Sequence, residues 1–180
     1  DVYKRQEVYQ SSARYVSFLL TPATVCLAIP LYEQLELLKK NAVAIFAGVF
    51  AGVLTSVVLV LVFALVFGFD HSEYVTFLPK SITTAIGMGV SEQMGGNVSI
   101  TVITIIITGV VGNILGEPVL KLFRIHNPIA KGIGLGSSAH AIGTAKAMEL
   151  GEVEGAMSGL SIAVAGLMTV VMSAIFAAFL

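Results

Sequence analysis

Ser137, His140 and Thr144 are the side chains in this 180-residue sequence whose types and spacing best suit chemistry. They stand three and four positions apart, which puts them on one face of a helix. Ser137 or Ser138 follows Gly136 and is expected to N-cap a half-helix running through Gly143 to Leu150. A half-helix N-terminus offers free N–H groups and the positive end of a dipole, which suits a carboxylate. His140, about one turn in, can donate a hydrogen bond or carry a proton. The plainer alternative is that His140 only holds two helices together. Ser81, Thr83 and Thr84 open a similar segment, with Thr84 in the place of His140. They could form the other wall of the same site, or simply cap and back-bond to carbonyls.

Other polar groups are weaker candidates. Thr101, Thr104, Thr108 and Gly112 form a small stripe beside Asn113, which reads first as helix packing. Lys146 and Glu149 have the spacing of an i, i+3 pair. Glu92 and Glu117 read first as interfacial. Gly134-x-Gly136-x-x-Ala139 resembles a dinucleotide fingerprint, but no strand precedes it. Ser138 and His140 are two apart, so they do not face each other on a helix, and no acid orients the imidazole. Hydrolase chemistry is therefore not expected, and neither is an enzyme of another kind. Cys26 is the sole cysteine and suits neither a disulfide nor a zinc site. No metal site and no cofactor are expected.

The elements that must position these residues are membrane segments. The chain is 56% hydrophobic and only 12% charged, where a soluble domain carries about a quarter charged residues. Charge is absent from Asn41 to Phe69, Asn97 to Gly116 and Gly155 to Leu180. Uncharged apolar runs of roughly 18 or more residues read as transmembrane helices. A soluble enzyme, a disordered chain and a disulfide-rich secreted domain are excluded. The net charge of −1 and the lack of a basic stripe exclude nucleic acid as a partner. With no Trp, the interfacial belt is expected to use Tyr15, Tyr32 and Tyr74.

Smooth apolar segments (Asn41–Phe69, Asn97–Phe123, Gly155–Leu180) alternate with segments broken by Pro, Gly, Ser and Thr (Arg14–Gln34, Tyr74–Gly96, Ile129–Gly151). Broken backbone is tolerated at membrane depth only where protein or a polar cavity surrounds it, and it marks the binding sites of carriers. Small residues recur at every fourth position, as in Ala44, Gly48, Gly52 and Ser56, which lets helices approach closely. Ser81-x-x-x-Ala85-Ile86-Gly87 recurs as Ser137-x-x-x-Ala141-Ile142-Gly143, so a broken segment plus a smooth helix reads as a repeated unit. Lys39, Lys40 and the basic Lys121–Lys131 stretch place those loops inside, and Asp70–Glu73 outside. The segment Tyr74–Gly96 must then start and end outside, as a re-entrant hairpin, and successive units are inverted. If the broken segments cross instead, the units are parallel and Lys121–Lys131 breaks the rule. The fold class is an all-α, polytopic transmembrane protein. Residues 1–180 read as one integral membrane domain, shortened at its N-terminus; the polar start lacks Met and a signal-peptide core, and Asp1–Gln6 is set aside.

Three ordered stretches carry a family resemblance. Thr21-Pro22-Ala23-Thr24 through Pro30-Leu31-Tyr32, Lys80-Ser81-Ile82-Thr83-Thr84-Ala85-Ile86, and Asn127-Pro128 through Gly136-Ser137-Ser138-Ala139-His140-Ala141-Ile142-Gly143-Thr144 to Glu149-Leu150-Gly151-Glu152 resemble the LrgB/CidB family of membrane proteins. The likeness runs from about Tyr15 to Leu180. It implies a multi-pass protein of the bacterial inner membrane with further helices before the first motif. It also implies modulation of murein hydrolase export and autolysis beside a small holin-like partner. Plastid relatives carry glycolate and glycerate, and bacterial ones are linked to pyruvate. The broken segments favour a carrier of a small carboxylate, with Ser81, Thr83, Thr84, Ser137, Ser138, His140, Gly143 and Thr144 around it. The alternative is a regulator of a partner's pore with no substrate of its own. Assembly as a homo-oligomer is left open.

Overall fold

The computed structural model describes residue 32 and residues 35–180, all-α among the described residues. Arg14–Gln34, read above as a broken segment and containing Cys26, lies outside this range except for Tyr32, which is exposed. A short α1 (Leu35–Lys40) leads into α2 (Ala42–Phe67). Then come α3 (His71–Phe77), α4 (Thr84–Gln93), α5 (Val98–Leu122), α6 (Pro128–Leu150) and α7 (Glu152–Phe176). The smooth runs are α2, α5 and α7, each long and apolar enough to cross a membrane.

Local chemistry fixes the helix ends. Asp70 and Glu73 form a reciprocal capping box on α3. Asn97 accepts from the Ile100 N–H at the start of α5, and Asn127 accepts from Ile129 and Ala130 ahead of Pro128. At the far end of α2, Gly68 takes a left-handed φ of 68° that ends the helix with an N–H bond to Ala64.

The decisive feature is in α6. His140 has φ 43° and ψ −135°, so the chain turns there rather than continuing as one helix. Gly143 lies so close to Leu135 that a Cβ on it would sit 2.5 Å from the Leu135 carbonyl. Leu135 and Ala147 share one buried cluster with Leu120. In a straight helix twelve residues are about 18 Å apart, so α6 is a hairpin of two arms, Pro128–Ala139 and Ala141–Leu150. Both arms end where Lys131 meets Glu154 (3.6 Å) and Lys146 meets Glu117 (3.3 Å). The segment α3–α4 is the second hairpin. It leaves and returns at the end that holds Asp70, where Ser72 donates to the Gly95 carbonyl (3.0 Å). The two hairpins therefore start and finish at opposite ends of the helix bundle, and α2, α5 and α7 run between those ends.

Inside lipid, moving a valine from tails to protein gains little, so close approach and hydrogen bonds hold helices together. Gly132 and Gly136 leave no room for a Cβ against the Glu154 and Ser158 carbonyls, so the first arm of α6 lies backbone to backbone on α7. Gly112 and Gly116 do the same for Ala139 and Leu135 against α5. At the other end the Thr101 hydroxyl lies within 2.8–3.1 Å of Ser91, Thr76 and Asn97, which ties α3, α4 and α5. Tyr74, expected at the interface, is instead fully buried and donates to the Phe176 carbonyl (3.0 Å). Its ring joins Val57, Val60 and Leu78 in the core, a setting that a single-sequence pattern cannot distinguish from a belt position.

Candidate functional site

Two clefts meet beside α2. One, of about 760 Å³, runs between α2 and the first arm of α6, past Gly48, Gly52, Thr55, Ile133, Ser137 and Ser138. The other, of about 460 Å³, adds Ser56, Lys80, Ser81 and Thr108. Gly52, Thr55, Ser137 and Ser138 belong to both, so the clefts are continuous. Small residues on α2 make this space. Gly48 faces Ile133, Gly52 faces Ser137, and Ser56 Oγ lies 3.1 Å from Ser81 Oγ. Ser56 is fourteen residues from the start of α2 and eleven from its end. At ~1.5 Å per residue that is about 21 and 16 Å, so the meeting point is near mid-depth.

The expected site residues divide into two groups. Ser81, Ser137 and Ser138 are brought together on the cleft. The other five are not. Thr83 is the N-cap residue of α4 without a side-chain cap bond, and Thr84 is the first residue of that helix; neither lines the clefts. His140 is buried on the far side, where Nε2–H donates to the Ile105 carbonyl of α5 (2.9 Å). Thr144 is fully buried, within hydrogen-bonding distance of the His140 carbonyl (3.0 Å) and Ser158 Oγ (2.7 Å). Gly143 lets the second arm close on the first.

Two expectations about this stretch are corrected. Ser137 and Ser138 do not cap a half-helix. They lie inside the first arm and donate to the Ile133 and Gly134 carbonyls four residues back, both at 2.6 Å. The helix starts earlier, at Asn127, because Asn127 supplies the cap and Pro128 the fitting φ. Ser137, His140 and Thr144 also do not share a helix face, because the bend falls between them.

Lys80 was not singled out from the sequence. It is the sole charge between Glu73 and Glu92, which is the signal that could have found it. It sits in the tip of the α3–α4 hairpin, where its backbone N–H donates to the Phe77 carbonyl (3.2 Å). Its Nζ donates to Ser81 Oγ (3.0 Å). Lys121, Lys131 and Lys146 each pair with a glutamate, whereas Lys80 has no such carboxylate partner among the described residues. Among the described residues no cluster of His, Cys, Asp and Glu could hold a metal.

A chain that is all-α among the described residues, with three membrane-length helices and two hairpins that both line one cleft, has the build of an integral membrane protein. The chain belongs to the LrgB-like family, whose profile matches residues 4–179. It is 41% identical over 174 residues to the antiholin-like protein LrgB of Bacillus mycoides (strain KBAB4), covering 97% of this chain and 76% of that protein. The antiholin-like protein LrgB of Bacillus cereus (strain B4264) and that of Bacillus anthracis (strain CDC 684 / NRRL 3495) are each 40% identical over the same shares. No solved structure is significantly similar.

Proposed function

We propose that the protein is a multi-pass carrier of a small monocarboxylate in the bacterial inner membrane, and that its influence on autolysis follows from that transport. The observation that supports this is the meeting of two oppositely inserted hairpins at one mid-depth cleft, with Ser56 beside Ser81 and Ser137 and Ser138 across from them. Carriers built from inverted repeats place their substrate where broken segments of the two halves meet. In this reading α3–α4 with α5 is one unit, and α6 with α7 is its inverted counterpart. The site is Ser81, Ser137 and Ser138. His140, Gly143 and Thr144 act behind it, setting the shape of the α6 hairpin.

A second reading rests on the name that the relatives carry, antiholin-like protein. In it the protein regulates a small holin-like partner through lipid-facing helix surfaces and carries nothing. Uptake of labelled pyruvate or glycolate into vesicles holding the purified full-length protein alone separates the two. Saturable uptake above empty vesicles is the expected result. Uptake no greater than in empty vesicles refutes the carrier.

A further inference from the structure

We infer that Lys80 is the anchor for the substrate's carboxylate, and that its single charge selects monoanions over dianions. This rests on the carrier reading and deepens it. Lys80 lines the cleft at the level of Ser56 on α2 and Thr108 on α5, near the middle of both helices. Ionisable residues at such depth are costly, face the protein interior and mark substrate pathways. The nearer end of α2 is about 16 Å away along its axis, beyond the reach of a lysine side chain, so the partly exposed ammonium is held at the cleft. No carboxylate pairs with it among the described residues.

An ammonium has three N–H donors and no acceptor. One is used on Ser81 Oγ, which leaves two for a ligand. The Ser81 oxygen is itself held by Ser56 (3.1 Å), so the donor geometry at the hairpin tip is fixed from α2. Across the cleft, Ser137 and Ser138 commit their protons to the helix and present oxygen lone pairs. The ligand that fits has one carboxylate for Lys80 and a small polar or apolar remainder. Among the described residues Lys80 is the sole charged one that lines the two clefts. A dicarboxylate would therefore bring a second negative charge to a place with no second cation among the described residues.

The test uses the purified full-length protein, its Lys80→Met and Lys80→Arg variants, and pyruvate, glycolate and succinate as probes. Binding is read from ligand-induced thermal stabilisation and transport from uptake into vesicles. A lost charge-assisted bond weakens binding by at least about tenfold. Lys80→Met is expected to lose pyruvate and glycolate binding by that factor or more, while its unliganded melting temperature stays at or above wild type. Lys80→Arg keeps the charge and is expected to recover part of the binding. Succinate is expected to bind wild type at least about tenfold more weakly than pyruvate. If Lys80→Met binds and carries pyruvate with wild-type constants, the anchor is wrong and the carrier reading stands. If wild type binds pyruvate through Lys80 but carries none, the anchor stands and the carrier falls. If wild type neither binds nor carries any of the probes, both fall. A variant that merely melts early, with binding per folded molecule unchanged, also overturns the anchor.

Discussion

Replacing His140 by glycine and, separately, by alanine tests the bend on which the α6 hairpin depends. Both variants lose the imidazole and its bond to the Ile105 carbonyl, so that loss cancels between them. What remains is the backbone preference at φ 43°, ψ −135°. In a continuous helix alanine is favoured over glycine by about 1 kcal/mol. In the observed conformation a residue with a Cβ is strained by about 1–3 kcal/mol, and glycine is not. The order of stability therefore reverses: His140→Gly is expected to be about 1–3 kcal/mol more stable than His140→Ala. At about 2–4 °C per kcal/mol for a chain of this size, the glycine variant should melt about 2–12 °C above the alanine variant. Thermal unfolding of the two purified proteins in one detergent measures the difference directly. An alanine variant that melts at or above the glycine variant would show α6 to be an ordinary helix and would refute the hairpin.

Two further predictions probe the same architecture. Gly136→Ala places a Cβ against the Ser158 backbone, so the first arm and α7 must move apart, and a loss of about 1–3 kcal/mol is expected. Gly134→Ala, two residues away with open space around it, should be neutral or gain up to about 1 kcal/mol in the same melting assay. Single cysteines in a Cys26→Ala background give the topology: positions 126 and 149 should label from one face of the membrane and position 71 from the other. Position 149 labelling with position 71 would mean that α6 crosses, and the hairpin description would fail.

The long apolar helices were legible because their signal is local. Asn41–Phe69, Asn97–Phe123 and Gly155–Leu180 were read from charge gaps, and α2, α5 and α7 occupy those runs with shifts of a few residues at most. For Tyr74–Gly96 the basic residues Lys39, Lys40 and Lys121–Lys131 against the acidic Asp70–Glu73 pointed to a re-entrant hairpin but left crossing open, because loop charge alone does not say where a segment turns. The position of the bend in α6 was not legible. The run Gly132 to Gly136 reads as a helix breaker, yet those glycines serve contact with α7, and the helix continues through them. Glycine for a turn and glycine for close packing look the same until the neighbour is known. The actual bend falls on His140, a residue type that does not announce a positive φ. Its support includes the Ile105 carbonyl thirty-five residues away, a long-range contact that no spacing rule encodes. Lys80 was overlooked for a related reason. Helix-face arguments rank residues by spacing to polar neighbours, whereas Lys80 sits in a turn and its meaning comes from depth.

Depth also bears on which functional reading fits the fold. The arms of α6 are about 18 and 15 Å long, roughly half of a ~30 Å hydrocarbon core. Each tip must therefore satisfy its backbone groups with protein, since lipid offers no partner. At the α6 tip this is done: Thr144 donates to the His140 carbonyl and Asn113 Nδ2 to the Ile142 carbonyl (3.0 Å). Those partners lie within the hairpin and on α5, so the tip is closed on that side and meets the cleft along Ser137 and Ser138. A regulator that acts only through its outer helix surfaces has no need of two interrupted segments at mid-depth, or of a lysine held there without an ion-pair partner among the described residues. Both are costly to keep in a membrane. A carrier has a use for both, because its ligand must be desolvated at mid-depth and there exchange its water for a fixed donor such as the Lys80 ammonium. The energetic cost of the fold is therefore concentrated where a substrate would offset it.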